Sequence, residues 1–382
     1  MTFRRVAFWA SAGLLTYAQV GYPLALAALA RVRRPAEPEP APPAPGEEPD
    51  VSLVIAAHAE EAVIAGKVAN ALALDWPRER LEVLVACDGS PDATAERARA
   101  AGADVVLELP WGGKVRAQDA AVAAARSELL AFSDANAMWE PGALRALVGR
   151  LRADGVGYVC GRVSFVSEGG TNQEGLYWRY EMWIRWLESR LASVTAGNGA
   201  IYGVRREAYV HVDPVMGHDL SFPFNVVRRG RRAVYEPGAR ATEKMVPTVE
   251  GEWRRKRRMM SHAWPIVLRG GLLDLRGMPV LYAWMLASHR ALRYAAPFLH
   301  VVLLAATVGL ALSRGRGRAA ARPALAAQAA LLVAAAGGRA VPARPLLVAR
   351  YYLATQASVA VGLWDHLRHG TPAGWAPPEG TR

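Results

Sequence analysis

An apolar run of strand length, Leu129–Phe132, ends in Ser133-Asp134-Ala135-Asn136. A strand that delivers a carboxylate and a carboxamide two residues apart, just past its C-terminal end, can put both oxygens on one side of the chain. Open α/β sheets bind ligands at those strand ends. The same arrangement recurs upstream, where Leu81–Cys87 runs into Asp88-Gly89-Ser90. Together the two suggest one nucleotide-and-metal site assembled from separated segments, although Asp, Gly and Ser also start turns for reasons of their own. A third acid, Asp219 in Gly217-His218-Asp219, precedes the helical run Leu220–Arg229. A helix N-terminus favours a carboxylate, which can serve there as a proton acceptor or as a plain cap. Lys114, after Gly112-Gly113, opens a helix expected to reach Arg126. A lysine in a first turn opposes the helix dipole and asks for an anion, or is simply solvated.

The elements that must carry these groups alternate between strand and helix. Val51–Ala57 reads as a buried strand feeding His58-Ala59-Glu60-Glu61 and a helix to about Leu74, and short strands are expected at Val105–Leu107 and Val156–Phe165. An aromatic helix follows with Trp178, Tyr180, Trp183 and Trp186, whose rings can stack on sugars, pack on the core or sit at headgroup level. In Gly197-Asn198-Gly199 the glycines let backbone approach a ligand closely. Arg205-Arg206, next along, reads as a cap for the following helical turn. Cys87 and Cys160 form no disulfide framework and no metal-ligand spacing, and read as buried thiols.

The rest of the 382-residue chain is membrane-like. Val6–Ala30 has spanning length, with Arg4 and Arg5 before it and Arg31, Arg33 and Arg34 behind, which places the following residues in the cytoplasm. Residues 35–50 form a proline-rich tether expected to be extended and unpacked. Toward the C-terminus, 261–290 reads as an interface helix region broken at Ser288-His289-Arg290. Three spans are expected in 291–365, and a polar tail in 366–382. The formal charge of +12 invites a nucleic-acid reading. The arginines, however, cluster beside apolar spans and near the suspected diphosphate site, so anionic lipids and an anionic donor account for them, and no nucleic acid is expected.

The segments VSLVIAAHAEE, ACDGSPDAT, GGKVRAQDAAVAAARSELLAFSDANAMWEPGAL, GNGAIYGVRR and GHDLSFPFNVVRRGRRAVYEP, in that order between about Val51 and Met259, resemble the membrane-bound family 2 glycosyltransferases, the group of the cellulose, hyaluronan and poly-N-acetylglucosamine synthases. The resemblance implies an α/β fold with a GT-A domain, a Rossmann-like mixed sheet, over 51–260, flanked by transmembrane helices in the inner membrane. It implies Glu60, Asp88, Lys114 and Arg258 on the donor, Asp134 and Asn136 on Mg²⁺ or Mn²⁺, and Asp219 as the general base. Gly197, Asn198, Gly199, His218 and Trp183 fall on the acceptor side. The chain departs from the family's pattern at Ala59, usually Asn; at Asn136, usually an acid; at His218, the first of an acid pair; and at Arg255 and Met259, usually Gln and Trp. The expected activity is inverting transfer from a nucleotide-diphosphate sugar, UDP-linked by expectation, to a hydroxyl in polysaccharide synthesis. Transfer of one sugar to a polyprenyl phosphate or other lipid is the alternative, and a non-catalytic nucleotide-sugar-binding scaffold is the third reading.

Overall fold

The computed structural model describes residues 2–35, 42–166, 173–244, 249–315, 317–338, 340–341 and 343–374. The first part of the tether and the last part of the tail therefore lie outside the described residues. Eight strands form one sheet: β1 Val51–Ala57, β2 Leu81–Asp88, β3 Val105–Leu109, β4 Leu129–Asp134, β5 Met138–Trp139, β6 Val156–Val166, β7 Ile201–Arg205 and β8 Arg232–Lys244. Their order is β3-β2-β1-β4-β7-β6-β8-β5. The first four are parallel and β7 runs antiparallel to both its neighbours, so this is the mixed α/β sheet expected. Every residue of β1 and β2 is buried, because helices cover both faces, and such strands read as unbroken apolar runs.

Neither β7 nor β8 was expected. β8 contains Pro237-Gly238 and shifts register against β6 between Cys160 and Arg162. Gly161 is required at that bulge, since a Cβ there would collide with the Ala239 carbonyl. The two arginines at the end of β7, Arg205 and Arg206, do not cap the turn that follows them. Arg206 reaches back to the carbonyls of Val122 (2.8 Å), Ala125 (2.6 Å) and Ser127 (2.8 Å), closing the C-terminal end of the helix Lys114–Ala124. Arg205 does the same for the helix Ala143–Leu151, through Leu151 (3.1 Å) and Arg152 (3.1 Å). A guanidinium suits both places, because the last carbonyls of a helix lack intrahelical donors and carry negative partial charge. The far end of the proline-rich stretch is also held rather than loose. Arg145 binds the Pro43 carbonyl and the buried Glu48 carboxylate, each at 3.0 Å.

Among the described residues, four helices are long and apolar enough to cross a membrane: Phe3–Val32, Val280–Ala311, Arg318–Gly337 and Arg344–His369. The break expected at Ser288-His289-Arg290 is instead a π-helical segment, Leu286–Ala291, inside one continuous helix. A matching π segment, Tyr17–Gly21, interrupts the first helix. The two segments meet where Tyr17 Oη lies 2.8 Å from both Ser288 Oγ and Trp284 Nε1. Beside them is a buried ionic cluster. Glu188, on the helix Gln173–Leu191, accepts from Tyr22 Oη (2.6 Å), His289 Nδ1 (2.7 Å) and the Thr195 N–H (3.0 Å). Glu181, one face-repeat earlier, takes Arg293 at 3.0 Å, and Arg290 donates to Thr195 Oγ1 at 2.9 Å. Burial alone would raise both carboxyls; the cations from the membrane helix hold Glu181 well below the usual carboxylate range and lower Glu188. The apolar helices and the sheet domain are thus joined through charge as well as packing.

Candidate active site

β4 ends at Asp134, whose carboxylate is ion-paired with Lys114 in the first turn of the following-layer helix; each side chain is 26% exposed. The anion that Lys114 asked for is, in this state, the expected metal ligand itself. Gly199 closes on the same pair: a Cβ there would stand 3.0 Å from Lys114 Nζ and 3.8 Å from Asp134 Oδ2. Asn136 lies in the turn after β4, half-buried, and its carboxamide makes no hydrogen bond among the described residues. Two oxygen donors, Asp134 and Asn136, therefore stand at the strand end. No group of three or more His, Cys, Asp or Glu residues suited to a metal ion occurs among the described residues. This donor set fits a hard cation that brings most of its oxygen ligands with it.

The loop before β7 ties that pair to Asp219. The Gly197 N–H donates to the Asp219 carbonyl at 2.6 Å, and Arg185 donates to the Gly197 carbonyl at 2.9 Å. A Cβ on Gly197 would run into Tyr158 Oη, so only glycine fits. Asp219 sits half-buried in the first turn of the helix His218–Arg228. Near it is His262, which donates to the Val215 carbonyl (3.0 Å); burial pushes its imidazole down, while the Asp219 carboxylate pulls it up. Arg258 lies one turn before His262, half-buried on the helix Val249–Leu268.

Other expected site residues are bonded into the scaffold. Asp88 is buried, and its two oxygens accept from the backbone N–H groups of Gly112 (2.7 Å) and Gly113 (2.8 Å), which fixes the turn that presents Lys114. Asn198 spends its carboxamide on the Gly161 carbonyl (2.6 Å) and the Ile201 N–H (3.0 Å). His218 is sunk in an aromatic cluster, stacked on Phe222 at 4.0 Å and bonded to Tyr202 Oη at 2.9 Å. Burial, with Lys114 nearby, pushes His218 down to about 3, so the ring is neutral. Trp183 and Trp186 are each 40% exposed. Glu60 is buried at the end of β1, where its N–H donates to Thr94 Oγ1 at 2.9 Å. Ala59 beside it has φ +52, a left-handed conformation that asparagine tolerates better than alanine.

One residue went unnoticed in the sequence. Lys67 is fully buried, and its ammonium donates to the Ala137 carbonyl at 2.6 Å, directly under the Asp134–Asn136 turn, with the Trp139 ring centroid 5.1 Å away. Burial pushes it down to about 7, against the pull of Asp134. Its signal was a lysine on the apolar stripe Ile64, Val68 and Ala71, where a hydrophobe is due.

A mixed sheet with an acid at the end of β4, a lysine paired to it and a further acid across a glycine loop make up the candidate site. Residues 52–211 match the sequence model of the family described as Glycosyl transferase family 2. Over those residues the chain is similar to the family 2 glycosyl transferases. Among solved structures it is similar to a mannosyltransferase from Pyrobaculum calidifontis in complex with GDP-Man and Mn²⁺, at 22% identity and a TM-score of 0.71 over 95% of this chain and 99% of that one. It is also similar to glucosyl-3-phosphoglycerate synthase from Mycobacterium tuberculosis, at 21% identity and a TM-score of 0.42 over 65% and 87%. The first likeness is one of fold and takes in the membrane helices as well as the sheet domain. No curated protein sequence matches the chain.

Proposed function

We propose that the protein is a membrane-bound, inverting glycosyltransferase that moves a sugar from a nucleotide-diphosphate donor to a hydroxyl acceptor. The observation that carries this is the continuity of the site: Gly199 packs on the Lys114–Asp134 pair while Gly197, two residues away, is bonded to Asp219. Donor side and base are therefore held by one short loop. Asp219 takes the acceptor's hydroxyl proton, the oxygen forms its bond to the anomeric carbon, and the bond to the diphosphate breaks in the same displacement. Lys114 exchanges Asp134 for the departing diphosphate, and Arg258 adds a second cation to it. Asp134 and Asn136 are the residues that would hold Mg²⁺ or Mn²⁺, which when bound neutralises charge on the diphosphate. The fold neighbour with GDP-Man and Mn²⁺ supports a manganese-dependent site and brings guanosine donors alongside uridine ones.

A hydroxyl on a growing polysaccharide is the acceptor the synthase resemblance favours. Transfer of one sugar to a lipid phosphate is supported by a specific feature: the half-exposed Met259 stands where those synthases have tryptophan, on a helix packed against the apolar helix Arg344–His369. The test is release of nucleotide from UDP- and GDP-sugars by the protein in membranes, with sizing of the product. Asp219→Asn should keep donor binding and lose transfer by a hundredfold or more, on the order expected for loss of a general base. Transfer within tenfold of the parent would remove Asp219 from this role.

The domain is read as cytoplasmic, in the inner membrane. The three arginines behind the first helix support this, as does a nucleotide-sugar substrate. The contacts of the last helix bear on topology. Val359 accepts Trp264 Nε1 at 2.8 Å, and Gly362 admits Met260 where a Cβ would be 2.5 Å away. These contacts support a reading in which that helix, expected from the sequence to cross, instead lies along the catalytic domain, with the first three apolar helices as the crossings and the residues after it on the domain's side.

A further inference from the structure

The chain does not leave the domain after its last helix. Gly370, at φ +72, turns it, and Thr371 Oγ1 then donates to the Ser261 carbonyl at 2.9 Å and meets His366 Nδ1 at 2.9 Å. One turn back, Asp365 is bound by Arg257 at 2.6 Å. From this anchor the backbone runs to the turn that presents Lys114. The Ala373 carbonyl occupies the space a Cβ on Gly113 would need, and the Trp111 indole occupies the space a Cβ on Gly374 would need. Both contacts exist because both residues are glycine, and they lie 261 positions apart by number (374 against 113). Trp111 is itself seated on Gly89, where a Cβ would stand 2.7 Å from its backbone, and its ring lies 6.4 Å from His58, tilted by 34°. His58 in turn is bonded to the Asp88 carbonyl at 2.6 Å. Trp111 nevertheless remains 60% exposed.

We propose that Thr371–Gly374 is a strap that forms one wall of the donor site, holding Trp111 and the Gly112–Lys114 turn in the position that receives the nucleotide. This rests on the reading of the site as one for a nucleotide-diphosphate sugar. A large exposed indole beside a ligand site has a definite orientation only if something backs it. Here the backing is main chain from the far end of the protein, with Gly89 beneath. Chain ends normally fray unless tied down. Residues 371–374 are tied by a side-chain bond, a half-buried alanine whose carbonyl lies against Gly113, and an ion pair at the root. Trp111 then offers a fixed aromatic surface, and aromatic surfaces bind nucleobases by stacking whatever the base. The strap residues touch no reacting group; they position those that meet the donor.

The experiment titrates UDP and GDP, each with Mn²⁺, against the full-length protein in nanodiscs, a truncation ending at Gly370, Gly374→Val, Trp111→Ala and the double variant. Truncation and Gly374→Val should each weaken the preferred nucleotide about tenfold, the scale of losing one ordered stacking surface. In the Trp111→Ala background Gly374→Val should add less than about twofold, because the residue it acts through is gone. A purely structural role for the strap would instead show full additivity, and this would overturn the proposal. Binding that is unchanged in both strap variants also overturns it, and tighter binding would show a segment that covers the site rather than lining it. A parent that binds neither nucleotide removes the functional reading and the strap together.

Discussion

Asn136 is where the side-chain chemistry is most open to test. It lies two residues past Asp134 with an unengaged carboxamide, and one charge fewer at the strand end means weaker attraction for a divalent ion. Asn136→Asp should lower the Mn²⁺ concentration needed for half-maximal activity, whereas Asp134→Asn should nearly abolish activity at any practical concentration. Titrating Mn²⁺ against initial rate for all three proteins checks this, and equal midpoints for parent and Asn136→Asp would count Asn136 out. His218 gives a pH prediction. Its native value of about 3 lies below the roughly 6.5 of an unfolded histidine. As pH falls below about 6.5 the unfolded chain takes up a proton that the native ring refuses, so stability present at neutral pH is lost progressively toward acid. Between pH 7 and pH 4 this one group should cost about 3 kcal/mol, and His218→Gln should flatten that part of the profile in denaturant unfolding. An unchanged slope would show that the ring already titrates normally.

Among the elements, Arg206 shows how the sheet secures the helix that carries Lys114. Its guanidinium closes three carbonyls at the far end of that helix, so Arg206→Met should leave them without a donor and lower stability by about 2 kcal/mol. Thermal unfolding in detergent measures it, and a midpoint equal to the parent's would reject the cap. The same region shows what could be read in advance. β1, β2 and β4 were legible with their ends because strands buried on both faces are continuous apolar runs, and the acids that follow them mark the crevice. β7 was hidden in a glycine-rich segment read only as a loop, and β8 by a proline and glycine at its bulge. Lys114, Asp134, Gly199 and Asp219 were legible as chemistry and do come together. Asp88, Asn198 and His218 carry the right atoms for a site, but their partners are backbone groups or rings distant in sequence, which residue type alone does not reveal. Lys67 was missed for the converse reason: a single lysine on a helix reads as solvated until the turn above it is seen.

For the molecule as a whole, the arrangement of crossings makes a joint prediction about two surfaces. Cys87 and Cys160 are both buried, so one introduced cysteine reports alone. Glu96→Cys on the catalytic domain and Pro372→Cys after the last helix should both resist an impermeant maleimide in intact cells and react after lysis. Labelling at 96 before lysis would put the domain outside; labelling at 372 alone would mean that the last helix crosses. The ionic cluster between the two halves has a consequence in time. Glu188 and its partner His289 are 101 residues apart, which at about 5–20 residues per second separates their synthesis by roughly 5–20 s. Throughout that interval the buried Glu181 and Glu188 lack Arg293 and His289, their partners on the apolar helix Val280–Ala311. The sheet domain therefore waits for that helix to complete its buried pairs, and a ribosome that stalls before His289 leaves behind a chain whose own interior carboxylates mark it as incomplete.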